Sequence, residues 1–308
     1  DKRSRLLGYD NYAAYHLSAT MAGSVDNVMD LFKKSVTHLL PQYESDIKTL
    51  ENWAAQNGGP AKLEPWDVPF YTERYKEETF QFDSNKLAEY LELDNVVKGW
   101  LDHASKSFDL TFTATDTLST WHDDVLTYRV TDNKSGNESL LYLDLYARSG
   151  EKRGGAWMSS FVRQSRLLGT APVVVNNLNV PKPAAGEPTL LSYDEVNTLF
   201  HEFGHALHGL FARVTYPKLA GTNVFRDFVE FPSQVNEMWM LWPEVLANYA
   251  VHHETGEPMP QELVDKLHAS EQFNEGFATS EYLGAALLDQ ASGAELLVVP
   301  AGGEPQDD

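Results

Sequence analysis

The chain has 308 residues, 42% of them hydrophobic and 22% charged, with 15 Phe, 14 Tyr and 7 Trp, a composition that folds around a sizeable core rather than staying disordered. Its 24 Lys and Arg against 45 Asp and Glu leave a net charge of −21, which repels a phosphate backbone and argues against nucleic acid as a partner. No stretch reaches the roughly 20 apolar residues of a membrane span, and the absence of Cys rules out disulfides, thiolate nucleophiles and Cys-ligated zinc, so any metal must be held by His and carboxylates.

From the N-terminus, Val25, Val28, Met29, Phe32, Val36 and Leu39 recur at helical spacing after the capping candidate Ser24, with Pro41 ending the run. Ile47, Leu50, Trp53 and Ala54 stripe a second helix that stops near Gly58-Gly59, and shorter helical runs follow near Lys86 to Leu91 and Val96 to Ala104. The period then becomes two. Phe108, Leu110 and Phe112, then Leu126, Tyr128 and Val130, then Leu141, Leu143 and Leu145 predict strands, the last two joined by a turn over Asp132 to Asn137. Val173-Val174-Val175 with Leu178 and Val180 predicts one more before the Pro- and Gly-rich stretch Pro181 to Pro188. The expected architecture is mainly α with a small β-sheet, an α+β fold. It is expected to comprise a helical segment over 1–106, a chemistry-bearing core over 107–290 and an atypical tail over 291–308.

The next helix carries the chemistry. Ser192-Tyr193-Asp194-Glu195 has capping-box spacing, and Val196, Leu199, Phe200, Phe203, Leu207 and Leu210 form its apolar stripe. On it lies His201-Glu202-Phe203-Gly204-His205. Residues four apart differ by about 40° in azimuth and sit about 6 Å apart along the axis, so both imidazoles can reach one metal ion. Glu202 borders the open coordination position, where a carboxylate can take a proton from water. His208 lies about 10 Å from His201 along the axis, too far to share an ion also held by His205, and is read as structural. His252, His253 and His268 fall in a charged stretch and are read as surface residues.

A third ligand must come from a downstream His or carboxylate. Arg226-Asp227-Phe228-Val229-Glu230-Phe231-Pro232-Ser233-Gln234 sets an acidic pair among apolar side chains, and Val235, Met238, Trp239 and Trp242 continue at helical spacing, which predicts a second helix with Pro232 in its first turn. Glu230 would sit at its mouth facing the metal. Asp227, Gln234 and Glu237 share its azimuth and are candidates for hydrogen bonds to the ligating imidazoles or for purely structural bonds.

These segments resemble the thimet oligopeptidase and peptidyl-dipeptidase family of zinc metallopeptidases. The matching stretches are Phe200 to Arg213, Gly221 to Trp239 and Phe273 to Gln290, with Tyr142 to Ser160 and Leu6-Leu7-Gly8-Tyr9 agreeing upstream. Gly221-Thr222-Asn223 and Phe231-Pro232-Ser233-Gln234 are closer to the bacterial peptidyl-dipeptidase branch. The resemblance implies a zincin-like core with one Zn2+ held by His201, His205 and Glu230, and Glu202 as general base. It also implies a channel admitting short unstructured peptides, with the peptide beside an edge strand within Val173 to Val180. The family's carbonyl-binding loop is expected beyond residue 290, where this chain departs from the pattern.

The expected function is zinc-dependent hydrolysis of short oligopeptides, with release of C-terminal dipeptides. The alternatives are a zinc-binding but catalytically incompetent fragment, an endo-oligopeptidase, or a helical scaffold carrying a fortuitous motif. The expected protein is a cytoplasmic monomer with no membrane or nucleic-acid partner.

Overall fold

The computed structural model describes residues 2–81, 83–271 and 273–294. In chain order the elements are α1 (Lys2–Leu6), α2 (Tyr12–Leu17), α3 (Val25–Gln56), α4 (Val68–Thr79), α5 (Ser84–Ala88), α6 (Leu93–Phe108), β1 (Leu110–Ala114), β2 (Leu126–Asp132), β3 (Glu138–Tyr146), β4 (Trp157–Val162), β5 (Val173–Val180), α7 (Tyr193–Leu210), α8 (Glu230–Glu237), α9 (Pro243–Tyr249), α10 (Gln261–Glu271) and α11 (Glu275–Gly293). This is an α+β architecture with one five-stranded mixed sheet. Most of the tail expected over 291–308 lies outside the described residues. No described helix is long and apolar enough to cross a membrane.

The chain divides into two compact units, one holding the described residues of 1–82 and 265–294, the other residues 83–264. In the first, Leu50, Ala54, Leu63 and Val68 form a core closed by Tyr71, Tyr75, Phe273 and Phe277. Pro41 does not end a helix as its sequence position suggests. It lies inside the 32-residue α3. α11 packs against the very next turn, with Tyr43 stacked on Phe277 and Gly276 N donating to Asp46, and this packing holds the backbone helical despite the hydrogen bond that proline removes.

The second unit contains the sheet, in the order β1-β2-β3-β5-β4. β5 has the bounds its valines predict, but it is an interior strand, parallel to β3 and antiparallel to β4. The edge position expected for part of Val173 to Val180 is therefore wrong. The run from Val174 to Leu178 is buried on both faces, as a strand in a parallel pair demands. The edge strand is β4, which alternates in exposure and gave no clear sequence signal. Phe108 is likewise corrected: it ends α6, and the left-handed Asp109 at φ 56° turns the chain before β1 begins at Leu110.

α7 lies on the sheet face that presents Met158, Ser160 and Val174. The approach is close enough that a Cβ at Gly209 would meet Met158 Cε at 2.5 Å and Val174 Cγ2 at 3.1 Å. The N-terminal end of β4 lines a cavity with residues 201–205 of α7, while its Ser160 lies near Gly209. Because Ser160 pairs with Val174 and Met158 with Asn176, α7 runs antiparallel to β5.

Candidate active site

α7 begins at a complete capping box. Ser192 Oγ accepts from Glu195 N at 3.2 Å while Ser192 N donates to Glu195 Oε2 at 2.8 Å. α8 crosses α7 at Gly204, where an added Cβ would stand 2.5 Å from Ser233 Cα. Asn236 Nδ2 donates to Phe200 O at 2.6 Å across the same crossing. The expected continuation of this helix through Met238, Trp239 and Trp242 is not observed. α8 stops at Glu237, and Pro243 starts α9 after a turn.

The crossing brings three of the predicted residues together. Glu230 Oε2 lies 3.1 Å from His201 Nε2 and 3.0 Å from His205 Nε2, and one ligand atom from each residue falls within 4.8 Å of the others. His201 Nδ1 is 2.6 Å from Glu237 Oε1. Of the three candidate supporting residues, Glu237 meets one of the two imidazoles. Gln234 is exposed on α8, and Asp227 is exposed in the turn before it.

Glu202 is buried, and its Oε2 has no partner among the described residues. Burial pushes its carboxyl up to about 7, with His201 pulling it down and Glu230 adding to the rise. Burial likewise lowers the pKa of His205, against the opposing pull of Glu230, which favours the neutral imidazole that a metal requires. His208 stays outside the cluster, its ring edge-on to Phe228. His252 and His253 stack on one another, half-buried rather than exposed, whereas His268 is on the surface.

Ala156, Trp157 and Met158 from the start of β4, with Thr222 and Val229 from the loop before α8, complete a cavity of about 410 Å3 around the three groups. These wall residues were not singled out from sequence. The available signal was the Gly-Gly-Ala-Trp step at Gly154 to Trp157, where Asn177 and Asn179 of β5 donate to Gly155 O and tie the loop down. Behind it Asp144 accepts from Arg148, Trp121 and Lys152, and Lys152 also donates to Tyr146 O.

The donor set fits zinc. Bonds of about 2.0–2.1 Å in a tetrahedron place ligand atoms about 3.3 Å apart, close to the two separations found here, and two neutral imidazoles with one carboxylate match zinc's preference.

The chain belongs to Peptidase family M3, whose model matches residues 1–292. It is 41% identical over 289 residues to the Dipeptidyl carboxypeptidase of Escherichia coli (strain K12), a match covering 94% of this chain and 42% of that protein. It is 35% identical over 290 residues to Oligopeptidase A of the same organism, covering 93% and 42%. It is 30% identical over 304 residues to the Thimet-like oligopeptidase of Dictyostelium discoideum, covering 94% and 45%. The chain thus spans about two fifths of the length of the curated relatives it matches.

Proposed function

We propose that this chain carries the zincin-like catalytic core of a zinc-dependent peptidase that cuts short oligopeptides and releases C-terminal dipeptides. The observation that carries the proposal is the convergence of His201 Nε2, His205 Nε2 and Glu230 Oε2 beside the buried carboxyl of Glu202. The greater identity to a dipeptidyl carboxypeptidase than to oligopeptidase A supports dipeptide release.

Zinc held by these atoms supplies Lewis acidity, lowering the pKa of water beside it toward 7 and polarising a carbonyl oxygen. Glu202 is placed to take a proton at Oε2 from the attacking water and to return it to the leaving amine, and its burial keeps that carboxylate poorly solvated and ready to accept. Glu237 accepts from His201 Nδ1–H and fixes the tautomer that leaves Nε2 free to ligate. The free edge of β4 at Trp157 and Met158 offers backbone groups to an extended peptide.

The test measures zinc content and cleavage of a quenched fluorescent peptide in parallel. Glu202→Gln should keep about one zinc and lose hydrolysis by at least about a hundredfold, whereas Glu230→Ala should lose the metal. Hydrolysis retained in Glu202→Gln, or zinc retained in Glu230→Ala, would refute these roles. Stoichiometric zinc without any cleavage by the parent chain would leave a metal-binding protein and overturn the peptidase reading. Blocking the peptide's C-terminus should stop cleavage; equal rates on blocked and free peptides would indicate an endopeptidase.

A further inference from the structure

The imidazole of His201 has a visible partner behind it, and that of His205 does not. His205 is 9% exposed, and its Nδ1 is buried with no hydrogen-bond partner among the described residues. A ligating His almost always donates its second ring N–H to a carboxylate, carbonyl or water, which fixes the tautomer and the ring's direction.

A second unpartnered group lies in the adjoining strand. Asn176 of β5 is 0% exposed, and both its Oδ1 and its Nδ2 lack a partner among the described residues. Leaving a buried carboxamide unpaired forfeits its hydration with nothing in return, and the valines before it in the strand show no packing need for it.

The fold brings the two residues to the same level on facing elements. Val174 and Met158 both face α7 at Gly209. Asn176 pairs with Met158 and follows Val174 by two positions, so it points to the same face. On α7, His205 precedes Gly209 by one turn, about 6 Å toward the helix N-terminus and about 40° away in azimuth. On β5, Asn176 stands about 6.6 Å beyond Val174. Since α7 and β5 run antiparallel, these two steps go the same way and bring Asn176 to the level of His205.

We infer that Asn176 is a positioning residue of the metal site. One bridging water accepts from the His205 Nδ1–H and donates to Asn176 Oδ1, and so holds Nε2 toward the metal as Glu237 does for His201. A carboxamide suits this position because it accepts without adding a second buried negative charge beside Glu202. The inference rests on the reading of His205 as a metal ligand and adds the group that orients it.

The experiment uses the 308-residue chain and compares the parent with Asn176→Leu, Asn176→Asp and His205→Ala. Zinc affinity is read by competition with a chromogenic chelator, and solvent exchange of the His205 Nδ1–H by 15N NMR of histidine-labelled protein. Asn176→Leu should weaken zinc binding about 10- to 100-fold, and Asn176→Asp, which keeps the acceptor, should stay within a few-fold of the parent. In the zinc-loaded parent, where Nε2 is taken by the metal, the His205 Nδ1–H should be protected from exchange, and this protection should fall in Asn176→Leu. A merely structural asparagine predicts instead that Asn176→Leu melts at or above the parent with unchanged zinc affinity, and that result would overturn the inference. If the leucine variant fails to fold, an unprotected His205 Nδ1–H in the zinc-loaded parent overturns it as well. Unchanged zinc affinity in His205→Ala would instead overturn the metal-site reading itself, so the two failures are distinguishable.

Discussion

Gly204 is the fourth residue of the His-Glu-Phe-Gly-His segment, and the α7–α8 crossing depends on its missing side chain. An alanine Cβ there would stand 2.5 Å from Ser233 Cα, 2.7 Å from Pro232 O and 3.0 Å from Asn236 Cβ. Two of the three are backbone atoms, so no rotamer change relieves the clash and α8 must retreat by about 1 Å to reach ordinary carbon contact. Overpacking of this kind costs about 1–3 kcal/mol, while Gly→Ala inside a helix returns about 1 kcal/mol. The net loss of up to about 2 kcal/mol corresponds to a fall in Tm of up to about 8 °C for a unit of this size. The retreat also carries Glu230 away from His201 and His205, and metal sites hold their ligand distances within about 0.2 Å. Gly204→Ala should therefore weaken zinc binding at least tenfold. Thermal unfolding of the metal-free chain and chelator competition measure the two effects. A variant that melts above the parent, as an exposed helical glycine would on substitution, and binds zinc equally well would refute the close crossing.

Glu237→Ala should lower zinc affinity about 10- to 100-fold while leaving the fold intact, since the His201 Nδ1 bond at 2.6 Å is lost; unchanged affinity would remove Glu237 from the site. Asp144 governs acid stability. Burial pushes its carboxyl up, but hydrogen bonds from Arg148, Trp121 and Lys152 outweigh burial and hold it at about 2 against a usual 3.8. Because the folded value is the depressed one, this contribution of about 2 kcal/mol is fully present above pH 4 and disappears as pH falls toward 2. Denaturant unfolding of Asp144→Asn against the parent should show a stability gap at pH 6 that narrows through that window, and a gap independent of pH would contradict the account.

The parts of the molecule governed by local periodicity were legible in the sequence. The capping box, the apolar stripe of α7 and the bounds of β5 follow from side chains that are neighbours along the chain. Glu230 could be placed near His201 because Pro232 and its apolar flanks mark a helix start. What remained hidden depends on pairing between distant segments. Nothing in Val173 to Val180 tells that β4 pairs outside it, and the exposed Trp157 and Phe161 of β4 do not mark a strand by burial. Pro41 misled for the same reason, since the packing of α11 beside it on α3 arrives from the far end of the chain. The end of α8 at Glu237 was missed because Trp239 and Trp242 keep a helical spacing while packing edge-to-face in a turn.

The start of α8 has a thermodynamic consequence. This eight-residue helix has no side-chain cap at its N-terminus, and a helix so short is marginal on its own in water. α7, by contrast, has 18 residues and a full capping box. An ion shared between Glu230 and the two histidines joins the weak element to the strong one, so by mass action an ion present at a hundred times its dissociation constant adds about 2.7 kcal/mol to whatever holds α8 in place. The metal is then a folding ligand for one helix as well as a reagent. Amide hydrogen exchange should register it as protection gained on zinc addition at Ser233 to Met238 and little changed along Val196 to Leu210.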